Sequence, residues 1–267
     1  MDHLNREQAP FPSELWEQID AAAVHAAKKY LTGRRFLDLE GPYGLGLTAL
    51  ELGADDYCRE AAADEAGAVV SRAIAVPMLR KSFRLSTRRL AAYLDKSMPV
   101  SLAEVEDAAE AVARREEEFI YFGQTDFGIE GLLTAEGNQK VKCGDWKDLD
   151  TALNDVLAAV TALDEAGFHG AYALALPPLQ YNNLFRHYEN TDMLQVEHLK
   201  SLCTNGVYKA AVDQPVLVDD HAGVLVIGQD MRVGYAGTDG IHYQLFVCES
   251  LVLRLDEPEA VCLLSSD

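Results

Sequence analysis

Positive charge is scarce in this chain of 267 residues. Lys and Arg number 23 against 43 Asp and Glu, a net charge of −20. Binding to a phosphate backbone needs clustered Lys and Arg, so this balance speaks against nucleic acid as a main partner. No run approaches 18 consecutive apolar residues, and the opening Met1–Glu7 carries no apolar signal core. The expectation is a cytoplasmic protein with no membrane span. Five cysteines are scattered (Cys58, Cys143, Cys203, Cys248 and Cys262) and none forms a CxxC pair. That spacing gives neither a zinc site nor a disulfide framework. Cys203, Cys248 and Cys262 lie in apolar runs and read as small buried hydrophobes.

Catalytic signatures are missing as well. There is no GxGxxG opening a helix, no P-loop, no HExxH and no GxSxG. No Glu-x-x-His pair is present, so a ferritin-type di-iron site is not expected. The seven histidines are isolated; Cys143 with Asp145 and His169 carries no protease-like flanks. The reading is of a protein that is not an enzyme and needs no cofactor or metal.

What is present is a patterned mixture of helices and strands. Leu15, Trp16, Ile19, Ala22, Ala23, Ala26 and Tyr30 recur at helical spacing after Ser13, and Gly33 ends the stripe. Residues 44–90 are punctuated by Gly44, Gly46, Gly53 and Gly67; Leu79, Lys81, Phe83 and Leu85 then alternate with polar neighbours. This predicts an extended hairpin or arm, marginal alone and stabilised by lying on a neighbour. Ser101-Leu102-Ala103-Glu104 matches a capping box and predicts a helix to about Phe122, with Leu102, Val105, Ala109, Val112, Phe119 and Ile120 inward. Glu116-Glu117-Glu118, late in that helix where the dipole disfavours acids, reads as a solvated or partner-facing patch. A helix is expected from Asp148 to Ala166, with Leu149, Leu153, Val156, Leu157, Val160 and Leu163 inward. A strand follows at Tyr172–Leu176, a helix after Pro177-Pro178, and another at Leu194–Cys203. Short strands are expected at Val216–Val218 and Val224–Ile227, and a long one over Ile241–Leu255, interrupted at Glu249. No βαβ regularity appears, which gives the α+β class.

Two segments carry more than periodicity. They are Arg34-Arg35-Phe36-Leu37-Asp38-Leu39-Glu40-Gly41-Pro42-Tyr43-Gly44 and Gly228-Gln229-Asp230-Met231-Arg232-Val233-Gly234-Tyr235. With the N-terminal helix, the Gly131-Leu132-Leu133 turn, the Gly170-Ala171-Tyr172 strand entry and the long last strand, their order resembles that of family 1 encapsulins. These are shell proteins with the HK97-type fold of tailed-phage capsids. The resemblance covers nearly the whole chain.

It implies an N-terminal arm and helix (1–43), an extended E-loop (44–90), a peripheral domain (91–136 and 225–267) and an axial domain (137–224). It further implies a self-assembling icosahedral homo-oligomer, on the order of 60 copies for T = 1 and more for T = 3 or 4. Such a nanocompartment encloses a cargo enzyme with an iron-storage, peroxidase or other redox role, held by a C-terminal targeting peptide. Carried over position by position, the peptide site involves Leu31, Arg34, Asp38, Asp230, Met231 and Val233. The same residues fit a second reading, an Arg34–Asp38 salt bridge with Met231 and Val233 in the core. Tyr188, Glu189, Asn190, Thr191 and Asp192 fall where the family places its fivefold pore loop, where acidic rings favour cations. The segment also fits a plain helix–helix connection. Arg88 stands where flavin-binding members have Trp, so flavin is not expected. The alternative within the fold is a tailed-phage major capsid protein; the acidity and a chain that starts directly with its helix tell against it.

Overall fold

A computed structural model of the chain describes residues 3–59, 64, 66–147, 149–186 and 194–265, with backbone alone at 54–59 and 149. The first helix, α1, runs Ser13–Ala27 and buries Leu15, Trp16, Ile19, Ala23 and Ala26 on one face. It begins at Ser13, but Pro12 occupies the capping position, so Ser13 does not cap. A 3-10 turn at Gly33–Arg35 leads into the short strand β1, Asp38–Glu40.

The arm follows. Strands β2 (Ala49–Arg59) and β3 (Ala68–Ala75) pair with each other as a two-stranded sheet. β3 is exposed along nearly its whole length. The alternating stretch at 79–85 belongs elsewhere: β4 (Met78–Ser86) joins the main sheet, and a helix α2 (Thr87–Lys96) not foreseen in the sequence follows it. Ser86 caps α2, its Oγ accepting from Arg89 N. The arm proper therefore ends before Met78.

The long helix α3 spans Ala103–Phe122. Val105, Ala109, Val112, Phe119 and Ile120 are buried as expected from their spacing. Each large apolar side chain so buried contributes ~1.5–3 kcal/mol. The capping box does not form: Leu102 takes the cap position, one residue late, and Ser101 Oγ accepts only a long 3.5 Å bond from Ala103 N. The helix ends at Gly123, whose positive φ of 66° and close approach to Ile129 O leave no room for a side chain.

The main sheet has the order β1-β9-β10-β4, where β9 is Gly223–Asp239 and β10 is His242–Leu255. β1 is parallel to β9; the other pairs are antiparallel. The short strand expected at Val224–Ile227 is only the start of β9. Its continuation was hidden by Gly228, Gly234 and Gly237, which weaken any strand pattern. Gly234 is needed where it stands, because a Cβ there would meet the Phe246 ring of β10 at 2.3 Å. α1 and α3 cover one face, forming a cluster with Leu79, Leu85, Val226, Val233, Leu245 and Val247.

The second sheet has the order β5-β11-β8-β6-β7. Its strands are β5 (Gln139–Lys142), β6 (Ala173–Leu176), β7 (Gly206–Lys209), β8 (Val216–Val218) and β11 (Val261–Ser265). Helices α4 (Leu149–Glu165) and α6 (Gln195–Leu202) pack on it; α5 (Pro178–Asn183) follows β6. Val156 and Leu163 of α4 are buried, but Leu157 is 40% exposed, contrary to its apolar character. Thus the 137–224 stretch forms this sheet together with β11 from the chain's end.

Candidate functional site: a groove between α1 and the β9 bulge

The turn that follows α1 is held from below by α3. Glu117 is buried, and its Oε1 accepts from Thr32 N at 2.8 Å and Gly33 N at 3.0 Å. The Thr32 hydroxyl donates to Glu117 Oε2 and lies 2.8 Å from the Tyr121 hydroxyl. Burial pushes the Glu117 carboxyl up to about 7 against the pull of these bonds. Fixing Thr32 and Gly33 fixes the next residue, Arg34.

Arg34 reaches inward. Its Nε and Nη2 donate to Glu116 at 2.6 and 3.0 Å, a bidentate pair, and Nη2 also reaches Glu249 at 3.2 Å. Its Nη1 donates to Asp230 at 2.7 Å. Burial opposes the guanidinium's charge, but the bond and field of Glu116, with Glu249 and Asp230 behind, outweigh it and hold its pKa above the usual value. Glu116 and Glu249 are completely buried. Desolvation pushes both carboxyl groups up, Glu249 well above its ordinary value.

The sheet is irregular at this point. Cys248 pairs with Arg232 and Ser250 with Gln229, so Asp230 and Met231 together oppose the single residue Glu249. That is a bulge in β9, and bulges re-aim side chains. Here it sends Glu249 under the sheet and brings Asp230 and Met231 to the surface beside α1.

Between α1 and this bulge lies a groove of about 390 Å³, lined by Val24, Ala27, Lys28, Leu31, Arg34, Arg35, Asp230 and Met231. Val24, Ala27 and Leu31 form one row along the helical path and give the groove an apolar wall, with Lys28 beside them. Arg34 and Asp230 form its polar floor; Arg35 donates to Lys28 O at 2.9 Å and closes one end.

Of the six residues the sequence assigned to a peptide site, Leu31, Arg34, Asp230 and Met231 line this groove. Asp38 does not. It lies in β1 beside Val224, and Arg34 pairs with Glu116, Asp230 and Glu249 rather than with Asp38. Val233 does not line it either: it shares the face of Met231, but α1 covers it, and it is buried with Leu15 and Ile19. Glu116 and Glu117 correct the expectation of a solvated patch, and only Glu118 of the three remains exposed, paired with Arg115. Their one sequence signal is the demand of an inward Arg34 for buried acids. Tyr188, Glu189, Asn190, Thr191 and Asp192 lie outside the described residues.

Elsewhere, Arg88 is exposed in the first turn of α2. Cys143 neighbours Asp155 and Trp146 rather than His169, and burial pushes its thiol up to about 11. The Cys203 and Cys262 thiols are pushed up to about 12 for the same reason. Asp219, Asp220 and His221 come together, with Asp219 accepting from Gly170 N and His221 N. No helix among the described residues is long and apolar enough to cross a membrane.

Residues 1–252 match the family model described as "Encapsulating protein for peroxidase". The type 1 encapsulin shell protein EncA of Myxococcus xanthus is 30% identical over 98% of this chain and 96% of that protein. A diheme-cytochrome–encapsulin shell fusion protein of Kuenenia stuttgartiensis is 32% identical over 94% of this chain and 72% of that protein. Among solved structures, the virus-like particle of Pyrococcus furiosus superposes with a TM-score of 0.73 at 23% identity, covering 94% of this chain and 99% of that one. The capsid of Myoviridae phage XM1 superposes at 0.60 with 17% identity, covering 86% and 90%. The two sheets, the long α3 and the projecting arm are therefore those of an HK97-type capsid subunit, and the chain belongs to the encapsulin shell proteins.

Proposed function

We propose that copies of this chain close into a cytoplasmic icosahedral shell around a cargo enzyme, and that the groove between α1 and the β9 bulge seats the cargo's C-terminal peptide. The observation that carries this reading is the groove itself. It combines an apolar helix row with a polar floor, the combination an extended peptide needs for affinity and register. The cargo is read as a redox or iron-handling enzyme, supported by a relative whose shell domain is fused to a diheme cytochrome. The shell chain itself does no chemistry in this account; it supplies enclosure and docking. The phage-capsid alternative draws on a likeness of fold at 17% identity, against a family match over residues 1–252.

The test is Leu31→Asp combined with Met231→Asp. Losing two apolar anchors, ~1.5–3 kcal/mol each, weakens docking by roughly a hundredfold or more. Shells of normal size with strongly reduced cargo content, read by mass spectrometry of purified particles, are expected. Intact shells with undiminished cargo would remove the groove as the docking site.

For the segment 188–192 the proposal is a pore loop in which Glu189 and Asp192, repeated about an axis, form acidic rings. Glu189→Gln with Asp192→Asn is expected to slow entry of a small cation into loaded shells and to leave a neutral solute unaffected. Equal slowing of both, or of neither, would count against acidic rings.

A further inference from the structure

Three carboxylates converge on one guanidinium at the buried end of the groove. Glu116 approaches Arg34 from α3, Glu249 from β10 and Asp230 from β9. The Glu116 and Glu249 side chains are fully buried, whereas that of Asp230 is 58% exposed. Water therefore screens one of the three charges and not the other two. Arg34 satisfies both oxygens of Glu116 and Oε2 of Glu249. Glu249 Oε1 is buried with no hydrogen-bond partner. An ionised carboxylate in that position is a buried charge with half its acceptor capacity unused, which is costly.

The remaining surroundings do not relieve it. Glu117 follows Glu116 on α3 and adds to the negative field. Cys248 is the neighbour on β10, and its thiol is pushed up by burial. β4 meets Glu249 at Leu79, while Arg80 lies over the Phe246 ring. Lys28, the residue that follows α1, stands on the groove lining. Among the described residues, Arg34 is the cation in contact with both buried acids. Both carboxyl groups meet on the same donor, Arg34 Nη2, at 3.0 Å for Glu116 and 3.2 Å for Glu249, so two buried acids stand together against one cation.

We propose that Glu116 and Glu249 share one proton at neutral pH and that this proton locks the β9 bulge forming the groove wall. With it, the pair carries a single negative charge that Arg34 balances, and Glu249 stays tied to α3. Without it, two buried anions stand side by side against one cation, and the tie breaks. Asp230 and Met231, opposite Glu249, then lose the contact that sets their outward turn. The wall loosens on the alkaline side. Burial pushes both acids up, so their contribution to stability is complete below the ordinary Glu value of ~4.3 and is lost as pH rises through the raised values. The effect on a groove occupant rests on the docking reading above; the shared proton does not.

The experiment uses assembled shells carrying Glu117→Gln, so that Glu117 contributes no carboxyl proton. Infrared difference spectra at neutral pH compare this background with and without Glu249→Gln. The expected result is loss of a protonated-carboxyl C=O band in the variant. The melting temperature of the parent is expected to fall as pH rises through the raised values of the pair, and that of the variant to change less. No band in the difference spectrum overturns the shared proton. A lost band with identical pH profiles overturns its locking role. If Glu249→Gln does not fold, titration of the parent decides: a protonated band that persists at neutral pH and disappears in alkali supports the proposal, and its absence at neutral pH overturns it.

Discussion

Glu117 shows how one residue ties the groove to the core. Its Oε1 accepts two backbone N–H groups from the turn that presents Arg34. Glu117→Ala leaves those donors buried without an acceptor, a loss of about 1–3 kcal/mol each. Glu117→Gln keeps the accepting oxygen and offers an amide to Thr32. Because the carboxyl is pushed up to about 7 by burial, its stabilising protonated form is fully present below the ordinary value and lost as pH rises through about 7. The melting temperature of Glu117→Gln is therefore expected to match the wild type in mild acid and exceed it above neutrality. A constant difference across that range would mean that Glu117 is ionised throughout. Legibility at this scale was uneven. Leu31 and Met231 could be placed by resemblance alone, carried over position by position; nothing in their own spacing marks a groove. Glu116, Glu117 and Glu249 could not be recognised as buried. A run of acids reads as solvated unless the arginine that neutralises it is known to turn inward, and Arg34 lies 82 residues away from Glu116.

At the scale of elements, helices were legible where packing is one-sided. The α1 and α3 stripes fall on buried positions because each helix covers one face of a sheet and leaves the other to solvent. β10 was legible for the same reason, and its interruption at Glu249 is the register shift opposite the β9 bulge. β5, β7 and β11 were not legible. They are four, four and five residues long, too short for an alternation to declare itself. The arm is the element whose stability the fold leaves open. β2 and β3 pair with each other, and β3 exposes Val69 at 51% and Val70 at 53%. A two-stranded ribbon of this kind is marginal in water and gains by lying on another copy. Deleting residues 50–75 is expected to leave a folded subunit, since both large sheets lie outside the segment, and to prevent shell closure. Light scattering that still shows full-size particles would show that the arm is dispensable.

At the scale of the whole molecule, the exposed arm points to a subunit that gains by having neighbours. The family match over residues 1–252 and the capsid-like superposition give that direction a concrete form, a subunit whose work is done in an assembly. The net charge of −20 per chain makes closure a matter of ionic strength, since like-charged copies repel and salt screens the repulsion. Negative-stain electron microscopy of the chain expressed alone, at physiological salt, addresses assembly directly. Uniform hollow icosahedral particles are expected, and their diameter gives the number of copies. Small discrete oligomers at every ionic strength tried would contradict a self-closing shell.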